Sequence, residues 1–135
     1  MTAQVIYKGD LRTEATHLKS GEIIISDAPV DNHGKGEAFS PTDLMSTSLA
    51  SCMITIMGIT ANNHEINIVG TKAEVLKIMG ENPRRVAGID VKMTMPEINY
   101  SDKEKSILKH AAENCPVMKS IHPDIKVNLD MVWYE

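Results

Sequence analysis

At 135 residues, with 42% hydrophobic and 24% charged positions, the chain has the length and composition of one ordinary globular domain. Its net charge of −4 and sequence pI near 5.7 argue against a nucleic-acid binder, which carries a basic excess. Aromatic residues make up only 4%, too few for base-stacking platforms, and nine Met residues point to an adaptable core.

The N-terminal MTAQVIYKGDLR has no long apolar run and no small-residue cleavage site, so no secretory signal is expected and the chain reads as cytoplasmic. Gln4 to Tyr7 is a short β-prone run, and Gly9-Asp10 marks a turn. Leu11 to His17 is a second strand, Lys19-Ser20-Gly21 a second turn, and Glu22 to Ser26 a third strand. Ala28 to Phe39, with Pro29, Gly34 and Gly36, reads as a loop.

A helix is expected from Ser40 to about Ala61. Ser40 is a good N-cap, Pro41 suits the first helical position, and Asp43 stands where a capping box places its acid. The uncharged stretch from Leu44 to Asn63 is long enough to suggest a membrane span, but Ser, Thr and Asn recur through it and Gly58 interrupts it. A helix buried on every side is the better reading. A domain this small can hardly surround six turns of helix, so burial against a second subunit is expected.

Ile68 to Lys77 reads as a strand, followed by a turn at Asn82-Pro83. Ile89, Val91, Met93 and Met95 then alternate with Asp90, Lys92 and Thr94, the pattern of a strand with one face on a core. Ser101 and Glu104 form a capping box for a second helix ending near Asn114. Cys115-Pro116 opens a short helical turn to about Ser120, and Ile125 to Trp133 is the last strand. Strands and helices are partly segregated, which makes the fold class α+β in a single domain, residues 1–135.

The two cysteines carry the candidate chemistry. Cys52 lies about three turns into the long helix, too far from its N-terminus for the dipole to act strongly, and taken alone it reads first as a packed small hydrophobe. Cys115 stands at the entry to a short helix, where free N–H groups favour a thiolate; structural and functional roles are evenly balanced there. Their separation along the chain excludes a local CxxC motif, so they can meet only if the short helix packs on the long one. The remaining signals are weaker. Gly34-Lys35-Gly36 lacks the ending of a phosphate-binding loop, and no Gly-x-Ser-x-Gly elbow occurs. The five His residues show no zinc-ligand spacing, and no metal or cofactor is called for.

SPTDLMSTSLASCM (residues 40–53) together with the later Cys115-Pro-Val resembles the OsmC/Ohr family, the osmotically induced and organic hydroperoxide resistance proteins, and most closely its OsmC-like branch. The resemblance covers essentially the whole chain. It implies antiparallel sheets around a long buried central helix, an intertwined homodimer, and thiol-dependent reduction of organic hydroperoxides regenerated by an external dithiol. It makes Cys52 the peroxidatic cysteine and Cys115 the resolving one. It also implies an activating Arg held by a Glu. The family Glu falls on Thr42 here, with Asp43 beside it and Glu37 in the preceding loop as further supports. Arg12 is the expected activating cation, with His33 and Lys35 as alternatives from the loop and Arg84 and Arg85 at the later turn. Two other functions fit the same resemblance: a noncatalytic binder of a small apolar molecule, and a redox sensor using the cysteine pair.

Overall fold

The computed structural model describes all 135 residues, Met1 to Glu135. The chain divides into two compact units, Met1–Met45 and Ser46–Glu135.

The first unit holds a three-stranded antiparallel sheet in chain order: β1 (Ala3–Gly9), β2 (Arg12–His17) and β3 (Ile23–Asp27). The β1–β2 turn passes through Gly9, Asp10 and Leu11, all at positive φ, a tight reversal for which Gly9 is the natural first residue. The loop that follows contains a 3-10 turn at Val30–Asn32 and curls back on itself. There the Gly34 N–H donates to the Pro29 carbonyl and the Gly36 N–H to that of Ala28. A Cβ on Gly34 would lie 1.7 Å from the Ala28 carbonyl oxygen, so no larger residue fits. The three fully enclosed residues of this unit, Ser26, Asp27 and Ser40, are all polar.

Helix α1 (Pro41–Asn63) starts at the end of the first unit and runs through the second. Its start is the expected capping box: the Asp43 N–H donates to Ser40 Oγ and the Ser40 N–H to Asp43 Oδ2, each at 3.0 Å. By length and composition α1 could cross a membrane, with a mean hydropathy of 1.6 in its most apolar window. Leu49, Ala50, Met53, Met57 and Ala61 nonetheless form a buried stripe, while Ser51, Thr55 and Ile59 face outward. Burial on every side, expected from the sequence, is therefore not reached within one chain.

The second unit contains β4 (Lys72–Gly80), β5 (Arg85–Thr94), α2 (Asp102–Glu113), α3 (Pro116–Ser120) and β6 (Lys126–Val132). The sheet order is β4-β5-β6. β4 and β5 are antiparallel, but β5 and β6 run parallel, which departs from the antiparallel sheets expected. The reason is the connection: β5 reaches β6 through α2 and α3, a crossover long enough to bring the chain back in the same direction. β4 also begins four residues later than expected. Asn67 Oδ1 accepts the Val69 N–H, Thr71 Oγ1 donates to the Ile68 carbonyl, and Gly70 has φ +97, so these residues form a turn.

The clean alternation of β5 is realised. Ile89, Val91 and Met93 are buried, and with Leu49, Met53 and Met57 of α1 and Leu108 and Ala112 of α2 they make up the core. Ser101 caps α2 reciprocally with Glu104. Tyr100 packs edge-on against Trp133 at 5.7 Å and donates its hydroxyl to the Asn67 carbonyl.

Candidate active site

Cys52 sits at the margin of the buried stripe of α1, between Leu49 and Met53, and is half-buried. Cys115 is fully buried at the N-cap of α3. It is placed there by the abrupt end of α2, where the Asn114 N–H still bonds the Ala111 carbonyl, and by Pro116, whose fixed φ opens the next helical turn. The Cys115 sulfur accepts the Met118 N–H at 3.4 Å. Both cysteines are free thiols, and Cys52 is near enough to Cys115 to act on its ionisation. The fold thus joins the two residues that the sequence keeps far apart.

The surroundings of Cys115 act on its ionisation. Burial, first, pushes the Cys115 thiol up from its ordinary value; the nearby Cys52 pushes the same way, while the Met118 and Val117 N–H groups pull only part of it back. The helix entry was expected to favour a thiolate at Cys115, but in so short a helix desolvation outweighs the local N–H groups. The net effect favours the protonated thiol at Cys115.

The second cluster of expected residues lies in the first unit. Arg12 opens β2 directly opposite Asp27, the last residue of β3. Its guanidinium grips that carboxylate with two bonds, Nε to Oδ1 at 2.7 Å and Nη2 to Oδ2 at 2.8 Å. Asp27 is completely buried, and its Oδ2 also accepts the Glu37 N–H at 3.2 Å. The Arg12 bonds hold the Asp27 carboxyl below the usual carboxylate range, against the opposing effect of burial, and Asp27 in turn raises the Arg12 value. The Glu37 carboxylate stands 3.6 Å from Arg12 Nη2 on a side chain that is mostly exposed.

Of the expected supports, Glu37 therefore reaches Arg12. Asp43 belongs to the α1 cap, and the Thr42 hydroxyl lies 3.2 Å from that of Ser40. Lys35 approaches Asp10 at 3.9 Å, and His33 ends the 3-10 turn with positive φ. Arg85 donates to the Glu81 and Pro83 carbonyls and so closes the β4–β5 turn, beside Arg84. Asp27 is the residue that the sequence reading passed over. A signal existed: a hairpin folded about Lys19-Ser20 sets Thr16 against Ile23 and, in the same register, Arg12 against Asp27.

The chain is thus a two-sheet α+β fold with one free thiol on α1 and another at the N-cap of α3. The family model for OsmC-like protein matches residues 34–130, more than half of the chain, and the chain belongs to the OsmC-like family. A crystal structure from Psychrobacter arcticus 273-4, named for osmotic stress induction and detoxification response, shares 55% identity with a TM-score of 0.93, covering 97% of this chain and 95% of that one. An organic hydroperoxide resistance protein OsmC from Legionella pneumophila shares the fold at 17% identity and TM-score 0.75, covering 98% and 97%. An OsmC like protein from Mycoplasma pneumoniae does so at 18% identity and TM-score 0.81, covering 98% and 96%. No curated protein sequence matches the chain.

Proposed function

We propose that the chain is a thiol-dependent peroxidase that reduces organic hydroperoxides, with Cys52 the peroxidatic and Cys115 the resolving cysteine. The observation that carries this reading is the meeting of the two thiols, with Cys115 buried and held protonated beside Cys52. The names of the Legionella and Psychrobacter proteins, organic hydroperoxide resistance and detoxification, point the same way.

In the first step the Cys52 thiolate attacks a peroxide oxygen, the O–O bond breaks, and the leaving alkoxide takes up a proton to become an alcohol. Cys52 is oxidised by two electrons to a sulfenic acid. A thiolate at Cys52 adds to the effect of burial in opposing ionisation of Cys115; a neutral sulfenic acid removes that smaller part. The Cys115 sulfur then displaces water from the Cys52 sulfenic acid, and a disulfide forms. An external dithiol reduces it by exchange and is itself oxidised to a disulfide. Arg12 serves as the cation that favours the Cys52 thiolate, from its own chain or its partner's.

The working form is a homodimer, with both units of each chain acting as one domain. Support comes from the apolar side chains that a single chain leaves exposed, Val5, Ile6, Ile23, Ile24, Phe39 and Ile59 among them. Burying the exposed half of each would contribute roughly 1 kcal/mol.

The test is an asymmetry between the cysteines. After one equivalent of cumene hydroperoxide, Cys115→Ser should carry a trappable sulfenic acid on Cys52, and over-oxidise in excess peroxide. Cys52→Ser should be inactive, with little oxidation at Cys115 by mass spectrometry. Oxidation of Cys115 alone would reverse the assignment. Oxidation of neither, with a lipid-like molecule co-purifying, would replace the peroxidase with a binder, and consumption of a single equivalent despite excess dithiol would make the protein a sensor.

A further inference from the structure

Within the Ser46–Glu135 unit, a cleft of about 450 Å3 opens between the end of α1 and the second half of α2. Thr60, His64, Ser106, Ile107, His110 and Ala111 line it, and the thiol chemistry uses none of them. On each helix a hydroxyl stands one turn before an imidazole, Thr60 before His64 and Ser106 before His110, so both pairs face the same space. Ile107 and Ala111 give the cleft its apolar floor. The histidine rings here are less committed than others in the chain. The His17 ring is bonded to Ser20 Oγ at 2.6 Å, and the His122 ring accepts the Asp124 N–H at 3.0 Å. The His64 ring bonds no other residue. His110 Nδ1 lies 3.5 Å from Asn114 Nδ2, but that amide makes its short bond, 2.8 Å, to the His110 carbonyl. A contact of 3.5 Å does not fix the ring's tautomer.

The lining decides which ligand fits. No Lys or Arg faces the cleft. Both histidines also stand at helix C-terminal ends, His64 just past α1 and His110 in the last turn of α2, where unpaired carbonyls carry partial negative charge. An anion is disfavoured on both counts. No carboxylate lines the cleft, which disfavours Ca2+ and Mg2+. Neutral imidazole nitrogens are instead the donors that Ni2+, Cu2+ and Zn2+ take. We infer that His64 and His110 chelate one divalent transition-metal ion across the α1–α2 cleft, with Thr60 and Ser106 hydrogen-bonded to the water molecules that complete its coordination. No group of three or more His, Cys, Asp or Glu side chains is placed to hold a metal. Two protein nitrogens therefore carry the site, and the ion exchanges readily, unlike one in a four-ligand structural zinc site. Such an ion is a reversible clamp between the helix that carries Cys52 and the helix that leads into Cys115. It does not depend on the peroxidase reading.

The experiment titrates the reduced, tag-free, full-length chain with Ni2+ and follows the imidazole C–H signals by nuclear magnetic resonance, since the paramagnetic ion broadens the rings that bind it. The His64 and His110 signals should broaden together below one equivalent, ahead of His17, His33 and His122. Calorimetry should give one Ni2+ per chain. His64→Ala and His110→Ala, both at exposed positions where the fold should survive, should each weaken binding about a hundredfold, the loss expected when a chelate becomes a single contact. His122→Ala, outside the cleft, should bind as the parent does. Broadening of only one of the two rings, or parent-like affinity in either single variant, would overturn the chelate. Earlier broadening of another histidine would place the ion elsewhere and overturn it too. Uptake abolished by alkylating the thiols, with both rings unbroadened, would assign the ion to the cysteines and overturn it equally.

Discussion

The sheets β1–β2–β3 and β4–β5–β6 have the same number of strands and treat apolar surface in opposite ways. The second has β5 with one face fully covered, Ile89, Val91 and Met93 among its buried residues. The first has Ile23, Ile24 and Ile25 in a row on β3, all exposed, and its enclosed residues are Ser26 and Asp27. One sheet is held by packing, the other by polar cross-strand contacts such as Arg12–Asp27 and the paired hydroxyls of Thr13 and Ser26. Three strands become independently stable only when an apolar face is covered. The difference shows where apolar surface is left over: the β4–β5–β6 unit is furnished with a core, and the β1–β2–β3 unit leaves its isoleucines exposed.

The comparison can be broken most severely in the packed unit. Leu49→Ala removes a side chain with no exposure and should destabilise the protein by about 3 kcal/mol in urea unfolding. A cost below about 1 kcal/mol would mean that α1 is not central to the core. In the polar unit the expected loss is of association. Ile24→Lys puts a charge on a residue that is 54% exposed in the single chain, so the fold of the chain should survive. Mass in solution should fall from twice 14.9 kDa to 14.9 kDa at micromolar concentration. A parent protein already monomeric there would remove the partner from the argument, and separate melting of two transitions would show that the units are not one domain.

Acid should weaken the polar unit selectively. The Asp27 carboxyl is depressed in the folded protein, so its contribution is fully present above the unfolded value near 3.9 and is lost as pH falls through the lower folded value. Asp27→Asn should therefore be less stable than the parent at neutral pH, and the gap should narrow below about pH 4. A gap that is constant with pH would mean that the ion pair adds nothing to stability. The smallest effect is expected at the α2 cap: Ser101→Ala should cost about 1 kcal/mol and leave turnover of cumene hydroperoxide unchanged.

Much of this architecture follows from local sequence. Ser40 with Asp43 and Ser101 with Glu104 announce two helix starts, Gly9 and Gly21 two hairpin turns, and the alternation from Ile89 to Met95 a one-faced strand. Each is a short-range event, settled by dihedral preference, capping or period, and each is legible within a few residues. The α1 residues Leu49 to Ala61 were legible as helix but not as a stripe, because small and apolar side chains surround the whole axis and only neighbours in space decide which are covered.

Tertiary structure alone decided three things. It made β6 parallel to β5, since strand direction depends on the path of α2 and α3 and not on the strand's own residues. It brought Cys52 and Cys115 together and, by burying Cys115, made desolvation rather than the helix entry set that thiol's protonation. And it gave Arg12 a buried partner in Asp27, a contact that hairpin register permits but that only the exclusion of water turns into a fixed, bidentate anchor.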